Sequence, residues 1–182
     1  MEKAALKEHR RHSTADKPFS YYISNIPEYF PNAPMHWHKE FELNVILEGE
    51  GDFVTGDIHF TAYKGDIVLT PPDMLHAVYQ HDDKRCVYDT LDLDGSMLGS
   101  RDNDRAADAF ITPLISGAYS IETHITPEHC YYSELLTTAE NMINAAKGDT
   151  PLLDMLIKSE LLRFMFCLLY TSPSPRDISG SR

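Results

Sequence analysis

Four residues with metal-binding side chains stand at spacings that could bring them to one point in a sheet. His36, His38 and Glu42 share the same parity, so in an extended strand their side chains point to one side, and His76 lies in a separate strand-like run. Imidazole and carboxylate bind zinc, iron, manganese, nickel and copper, and three histidines with one carboxylate leave coordination positions open for water or substrate. A site for a divalent transition metal is one interpretation. A polar cavity whose histidines hydrogen-bond to one another or to a bound molecule is the other, and the sequence leaves both open.

Two further polar residues fall in phase with this group. Asn44 shares parity with Glu42, and Gln80 shares parity with His76, so both are candidates for the cavity lining, although ordinary barrel positions explain them equally well. No Ser-His-Asp order, phosphate-cradling glycine loop or dinucleotide fingerprint is present, and we predict no catalytic residue. The predicted pocket residues are His36, His38, Glu42, Asn44, His76 and Gln80.

The segments that must position these side chains are spaced like the strands of a β protein. Short β-branched and aromatic runs recur at intervals of about 8–12 residues, as in antiparallel sandwiches and barrels. Predicted strands cover residues 19–23, 41–48, 51–55, 58–63, 66–69, 76–80 and 86–93, with one more at 119–121. Gly56-Asp57 supplies a two-residue hairpin turn between two of them.

Two amphipathic helices are predicted after the strands. The first runs from a Thr126 cap to Gly148, and the second runs from a Thr150 cap, with Pro151 in its first turn, to about Tyr170. Apolar residues of the second helix extend round more than one face, which a helix packed only on its own domain does not need. We therefore expect these helices to pair two copies of the chain.

Length and charge exclude several classes of protein. The chain has 182 residues, enough for one ordinary domain, and 28 acidic against 16 basic residues give a net charge of −12. The acidity is concentrated in residues 18–170, which carry −15, so the chain itself is not expected to bind nucleic acid. Three widely spaced cysteines indicate a reducing, cytoplasmic setting, and no apolar run is long enough to span a membrane.

The predicted organisation has four parts. Residues 1–17 form a flexible, solvated arm, residues 18–122 the barrel, residues 123–170 the helical dimerisation segment, and residues 171–182 a disordered tail that resembles a foreign, adapter-derived ending.

Two spaced motifs give the pattern a family resemblance. They are His36-x-His38-xxx-Glu42-xxxxxx-Gly49 and Gly65-xxxxx-Pro71-x-Asp73-xx-His76-xxx-Gln80. Together they resemble the two cupin motifs, which implies a jelly-roll barrel with the three histidines and Glu42 at the metal-ligand positions. Asp73 replaces the usual Gly of the second motif and Gln80 replaces its usual Asn, and neither is a ligand position in that family.

A narrower resemblance covers the chain from about residue 19 to residue 170. The segments Ile46-Leu47-Glu48-Gly49-Glu50-Gly51 and Lys64-Gly65-Asp66-Ile67-Val68-Leu69-Thr70-Pro71-Pro72, with the two terminal helices, are similar to the sensor half of AraC-type transcription regulators. This resemblance implies a barrel that binds a sugar-like or other small polar effector, helices that dimerise, and DNA contact through a helix-turn-helix domain that has no counterpart here. A stand-alone cupin metalloenzyme, such as a dioxygenase, isomerase or epimerase, is the alternative.

Overall fold

A computed structural model describes residues 3–99, 104–150 and 152–171. The strands are β1 (Phe19–Ile26), β2 (Asn32–His36), β3 (Phe41–Thr55), β4 (Ile58–Tyr63), β5 (Ile67–Thr70), β6 (His76–Gln80), β7 (Cys86–Leu93) and β8 (His124–Ile125). A π-helical turn at Ala107–Ile111 leads into α1 (Thr112–Ile115), and the two long helices are α2 (Tyr132–Ala146) and α3 (Leu153–Thr171). The predicted fold class, a mainly β cupin jelly-roll barrel followed by two carboxy-terminal helices, is confirmed.

The strand pairs within the described residues are all antiparallel, and one long strand joins the two layers. The amino-terminal part of β3 pairs with β5 and β7 in a layer that continues to β1 and β8. The carboxy-terminal part of β3 pairs with β4 and β6, and β6 pairs with β2. The strand changes layer at Gly49, whose φ is +74° and where a Cβ would lie 1.7 Å from the carbonyl oxygen of Arg85, so only glycine fits this crossing.

In the layer that contains β1, β7, β5, β8 and the amino-terminal part of β3, side chains alternate between two faces, and both faces are buried. Phe41, Leu43 and Val45 of β3 face outward and pack with α2 and α3, where Leu135 and Phe164 are fully buried. Between the outward residues, side chains of opposite parity point into the barrel. One end of that interior is apolar and is filled by Ile26, Ile46, Phe53, Val68, Val78 and Tyr88. The other end is polar and contains the residues described below.

Several predicted elements differ from the observed ones. The runs at 41–48 and 51–55 form one continuous strand, and β2, which includes Pro34, was not predicted because it lacks alternation. The predicted strand at 119–121 is wrong, and the short strand lies at His124–Ile125 instead. The first helix begins at Tyr132 rather than Thr126, since the intervening residues form turns closed by the His129 and Tyr132 amides.

Residues 3–17, predicted to form a flexible, solvated arm, lie against the polar end of the barrel with most of their side chains exposed. The backbone of the arm bridges to Trp37: the Glu8 amide donates to the Trp37 carbonyl at 3.0 Å, and the Trp37 amide donates to Leu6 at 3.1 Å. His12 and Ser13 are buried. The arm therefore forms part of the wall of the candidate site, because its few inward-facing residues find polar partners on the barrel.

The helix α3 has a buried face and a largely apolar exposed face. Phe164 and its neighbours pack inward, whereas Met155, Leu162, Phe166 and Tyr170 lie on the solvent side and are 71%, 41%, 60% and 68% exposed. Within the described ranges, the helices are too short or too polar to cross a membrane. Pro151 and, beyond Thr171, the expected tail lie outside the described residues.

Candidate functional site

Three segments bring the predicted metal ligands together at the polar end of the barrel. His36 ends β2 and pairs directly with His76 at the start of β6, while His38 follows in the connection to β3, which carries Glu42. Glu42 Oε2 lies 3.3 Å from His38 Nε2 and 3.4 Å from His76 Nε2. One ligand atom from each of the four residues lies within 4.8 Å of all the others, a spacing that could hold a single metal ion.

Backbone carbonyl groups orient two of these histidines. His36 Nδ1 donates to the Pro34 carbonyl at 2.7 Å, and His76 Nδ1 donates to the Met74 carbonyl at 2.9 Å. Since a carbonyl oxygen only accepts hydrogen bonds, Nδ1 must carry the proton in both rings, and each Nε2 is turned toward the cluster. Metal-binding histidines are typically fixed in this way by a second hydrogen bond. His76 Nε2 is buried and has no well-formed hydrogen bond to another described residue.

The electrostatic environment sets the charge of the cluster. Burial alone would raise the pKa of Glu42, but His76 and His38 hold that pKa well below its usual range. Burial lowers the pKa of His36, and the neighbouring His76 lowers it further. Burial would also lower the pKa of His76, but Glu42 raises it above its usual value. Glu42 is therefore ionised and His36 neutral near pH 7, as metal ligands must be, whereas Glu42 favours a proton on His76 that competes with a cation.

Asn44 lies next to the cluster, and Gln80 does not. The Asn44 side-chain amide donates to Glu42 Oε1 at 2.8 Å, and the Thr90 hydroxyl donates to the Asn44 carbonyl at 2.7 Å, so this buried chain fixes the carboxylate. Gln80 is four residues along β6 from His76, about 13 Å at the usual rise per residue. Its side chain donates to the carbonyl of Lys84, and the structure does not bring it to the site.

The arm contributes two residues that the sequence analysis did not select. His12 Nδ1 lies 2.6 Å from Asp92 Oδ2, and His12 Nε2 lies 3.0 Å from Glu8 Oε2. Glu8 Oε2 is in turn 3.5 Å from His36 Nε2. Burial alone would lower the pKa of His12, but its two carboxylate partners raise it to about 11. Glu8, His12 and His38 form a second group whose spacing could hold a cation.

Buried carboxylates complete the surroundings of the cluster. Asp92 is the direct strand partner of Glu42 and is 1% exposed, and Glu40 is 2% exposed beside His38. The Ser13 hydroxyl donates to Glu40 Oε1 at 2.6 Å, and Lys39 lies nearby at the surface. Parity within the strand 86–93 could have pointed to Asp92, whereas nothing local in the sequence marks His12 or Glu8.

Comparison with known proteins adds information that the geometry lacks. A family model described as AraC-like ligand binding domain matches residues 18–165. The uncharacterized HTH-type transcriptional regulator YdeC of Bacillus subtilis (strain 168) is 27% identical over 89 residues, which are 48% of this chain and 31% of the regulator. The chain thus matches about a third of the length of that relative.

Solved structures with a similar barrel include two cupins. A cupin protein from Bacteroides fragilis is 19% identical, with a TM-score of 0.41, over 46% of this chain and 71% of its own. A Cupin 2 conserved barrel domain protein from Salinispora arenicola is 22% identical, with a TM-score of 0.38, over 47% of this chain and 71% of its own.

Proposed function

Because this chain belongs to the family of AraC-like ligand binding domains, we propose that its barrel binds a small polar effector, sugar-like or of another class, and reports its presence to a transcription regulator. The family match and the regulator relative favour a sensor over an enzyme. A ligand changes such a regulator only by binding one of its conformations more tightly than another.

The observation that carries this proposal is the polar end of an otherwise apolar barrel. Asn44, Thr90, Asp92 and His38 are all buried there, next to the partly exposed Glu42. A buried polar atom with no partner costs roughly 1–3 kcal/mol. His38 Nδ1, His76 Nε2 and Asp92 Oδ1 are buried at the site without a well-formed hydrogen bond, although each lies within 4 Å of an oppositely charged or ionisable group. A ligand with several hydrogen-bonding groups recovers this cost, whereas an apolar ligand does not.

A thermal-shift screen of the full chain with sugars, polyols, small carboxylates and amino acids tests effector binding. We expect at least one class to raise the melting temperature of the wild type. Binding should weaken in Asn44→Ala, which removes a cavity amide, and should persist in Asn141→Ala, whose amide contacts Glu160 between the helices. A binder that is indifferent to Asn44→Ala, or the absence of any binder, contradicts the proposal.

We further propose that His36, His38, Glu42 and His76 hold a divalent transition metal. The donor set, the two carbonyl-oriented imidazoles and the buried His76 Nε2, which lacks a well-formed hydrogen bond, fit such an ion. Bound there, the metal would act as a Lewis acid toward an oxygen atom of the effector. Asn44 keeps Glu42 in place, and the carbonyl groups of Pro34 and Met74 keep the imidazoles aligned.

Elemental analysis of the purified chain after incubation with zinc or manganese tests the metal site. We expect about one ion per wild-type chain and a loss to background in His76→Ala. His59→Ala is the matched control, because His59 is an exposed histidine on β4. Equal metal content in His76→Ala and His59→Ala would show that the four residues line a pocket without binding an ion.

The exposed apolar face of α3 supports the proposal that two copies of the chain pair through their helices. Four large apolar side chains on one helix face, Met155, Leu162, Phe166 and Tyr170, are a surface that monomeric proteins rarely leave uncovered. We expect light scattering to give a dimeric mass for the wild type and for Glu140→Ser on the exposed side of α2. Phe166→Ser should shift the mass toward that of one chain, and an unchanged dimer in Phe166→Ser would place the contact elsewhere.

In this proposal the acidic barrel makes no DNA contact, and operator recognition belongs to a helix-turn-helix domain such as the one named in the Bacillus subtilis relative. The protein would then act in the cytoplasm, where its target DNA is found. A gel-shift assay with random duplex at low salt checks the first statement, because an acidic chain should give no shift.

A further inference from the structure

Glu8 of the arm meets the candidate metal cluster at a contact between two hydrogen-bond acceptors. Its Oε2 atom lies 3.5 Å from His36 Nε2. The neutral His36 ring has its proton on Nδ1, which donates to the Pro34 carbonyl, so Nε2 presents a lone pair. An ionised carboxylate also only accepts hydrogen bonds. Two acceptors at this distance repel each other, and a cation bound to both removes the repulsion.

The spacing is the one that Glu42 shows toward its own histidines. Glu42 Oε2 lies 3.3 Å from His38 Nε2 and 3.4 Å from His76 Nε2. When one ion binds a nitrogen and an oxygen that are 3.5 Å apart, with bonds of about 2.0–2.2 Å, the angle at the ion is roughly 110°, which is close to tetrahedral. The two carboxylates thus face different members of the histidine set, Glu42 at His38 and His76 and Glu8 at His36.

The arm holds the Glu8 carboxylate in this place. The Glu8 amide donates to the Trp37 carbonyl at 3.0 Å, and His12 Nε2 donates to Glu8 Oε2 at 3.0 Å. His12 is itself fixed by Asp92, whose Oδ2 atom lies 2.6 Å from His12 Nδ1. Metal-binding carboxylates typically have such a hydrogen-bonded partner, and an oxygen atom with two lone pairs can accept this bond and also bind an ion.

The charge of a loaded cluster also favours a second carboxylate. A divalent ion held by three neutral imidazoles and Glu42 has a net charge of +1, and His38 and His76 are each only 4% exposed. A buried net charge is costly, and one more carboxylate brings the total to zero. Asp92 is close as well, but its charge is matched by His12.

We propose that an ion bound by His36, His38, Glu42 and His76 also binds the carboxylate of Glu8, so that the ion fastens the arm to the barrel. This inference rests on the proposed metal site and adds a ligand to it. Glu8 lies outside the set of four but within 4.8 Å of His38, and its side chain is 29% exposed, which leaves it room to turn toward the ion. A six-coordinate ion keeps one position for an oxygen atom of the effector.

Titration of the full chain with cobalt(II), followed by visible absorption, tests whether Glu8 is a ligand. Cobalt(II) absorbs more strongly with four ligands than with five or six, so its spectrum reports the loss of a ligand. Glu8→Gln should bind cobalt at least about ten-fold more weakly than the wild type, a loss typical even of an orienting partner, and should absorb more strongly. Glu8→Ala should behave in the same way. Asp16→Asn, which makes the same kind of change at an exposed position of the arm, should match the wild type.

Cleavage by trypsin at Arg10 and Arg11 tests whether the ion fastens the arm. Coupling between two binding events is reciprocal, so saturating cobalt should slow cleavage of the wild type and of Asp16→Asn by about the same factor that Glu8 adds to cobalt affinity. Cobalt should not change the cleavage rate of Glu8→Gln.

Two results overturn the inference while the four-residue site stands. One is a cobalt affinity and spectrum in Glu8→Gln that equal those of the wild type, when His76→Ala loses the ion. The other is weaker binding in Glu8→Gln with an unchanged spectrum and no slowing of wild-type cleavage by cobalt, because Glu8 then acts only through its charge. If the wild type binds no cobalt, or His76→Ala binds it equally well, the proposed metal site fails and the inference fails with it.

Discussion

Removal of the Ser13 hydroxyl group should weaken the docking of the arm on the barrel. The Ser13 hydroxyl donates to Glu40 Oε1 at 2.6 Å and lies 3.0 Å from Asp94 Oδ2, and Glu40 is only 2% exposed. In Ser13→Ala the docked arm still covers Glu40 but no longer supplies its hydrogen bond. Undocking returns the carboxylate to water, so the substitution shifts the equilibrium toward the undocked arm.

The size of this shift follows from the kind of bond that is lost. A hydrogen bond to a charged group contributes about 1.5–3 kcal/mol, and about 1.4 kcal/mol corresponds to a ten-fold change in an equilibrium constant. The population with an undocked arm should therefore rise roughly 10- to 150-fold. The free energy of global unfolding should change much less, because the strands that form the core do not depend on Ser13.

Trypsin is a direct probe, since Arg10 and Arg11 lie in the arm next to the buried His12. When docking is fast relative to cleavage, the cleavage rate measures the undocked population. Thr61→Ala is the matched control, because the Thr61 hydroxyl also donates to a carboxylate, that of Asp52, on the far side of the barrel. Cleavage of Ser13→Ala at a rate within two-fold of the wild type, or equal acceleration in Thr61→Ala, would refute this account of arm docking.

Three further predictions concern the core, the acid range and the metal site. Phe164→Ala should lower the free energy of unfolding by about 3–5 kcal/mol, measured by urea titration. Phe166→Ala should change it by less than about 0.5 kcal/mol when the protein is dilute enough to be monomeric, and equal losses under that condition would contradict the assigned faces of α3. Burial opposes the low pKa of Asp94, but its amide, hydroxyl and ammonium donors bring that pKa to about 2. The folded state then binds fewer protons than the unfolded one, so this stabilisation is complete above about pH 4 and is lost as the pH falls toward 2, and Asp94→Asn should flatten that part of the unfolding profile. Asn44→Ala should weaken zinc binding ten- to hundred-fold in competition with a chelating dye, because Glu42 loses its orienting partner, and an unchanged affinity would exclude that role.

Local patterns were sufficient to predict most of the barrel and five residues that lie at or beside the candidate site, Asn44 among them. Spacing put His36, His38, Glu42 and His76 in phase, and the structure brings them together because β2 and β6 pair at their ends. Parity could not show that Gln80 lies at the other end of its strand, since parity fixes a face of the sheet and not a position along it.

Features that depend on distant contacts escaped prediction. Ser13 meets Asp94 across 81 positions of sequence, and His12 meets Asp92 on β7, so the composition of the arm alone suggested a solvated segment. Strand β2 contains Pro34, which interrupts the usual alternation, and it forms because β6 offers it an edge. Tertiary pairing overrides local preference at both places.

The docked arm has a practical bearing on how this protein should be produced. A recombinant fragment trimmed to the family match, residues 18–165, would lack Glu8, His12 and Ser13 as well as the last turn of α3. Asp92 and Glu40 would then lose His12 and Ser13 as partners, and the polar end of the barrel would lose the segment that covers these carboxylates. Such a fragment would present a different set of side chains to a ligand, so screening libraries should be run on protein that retains the arm.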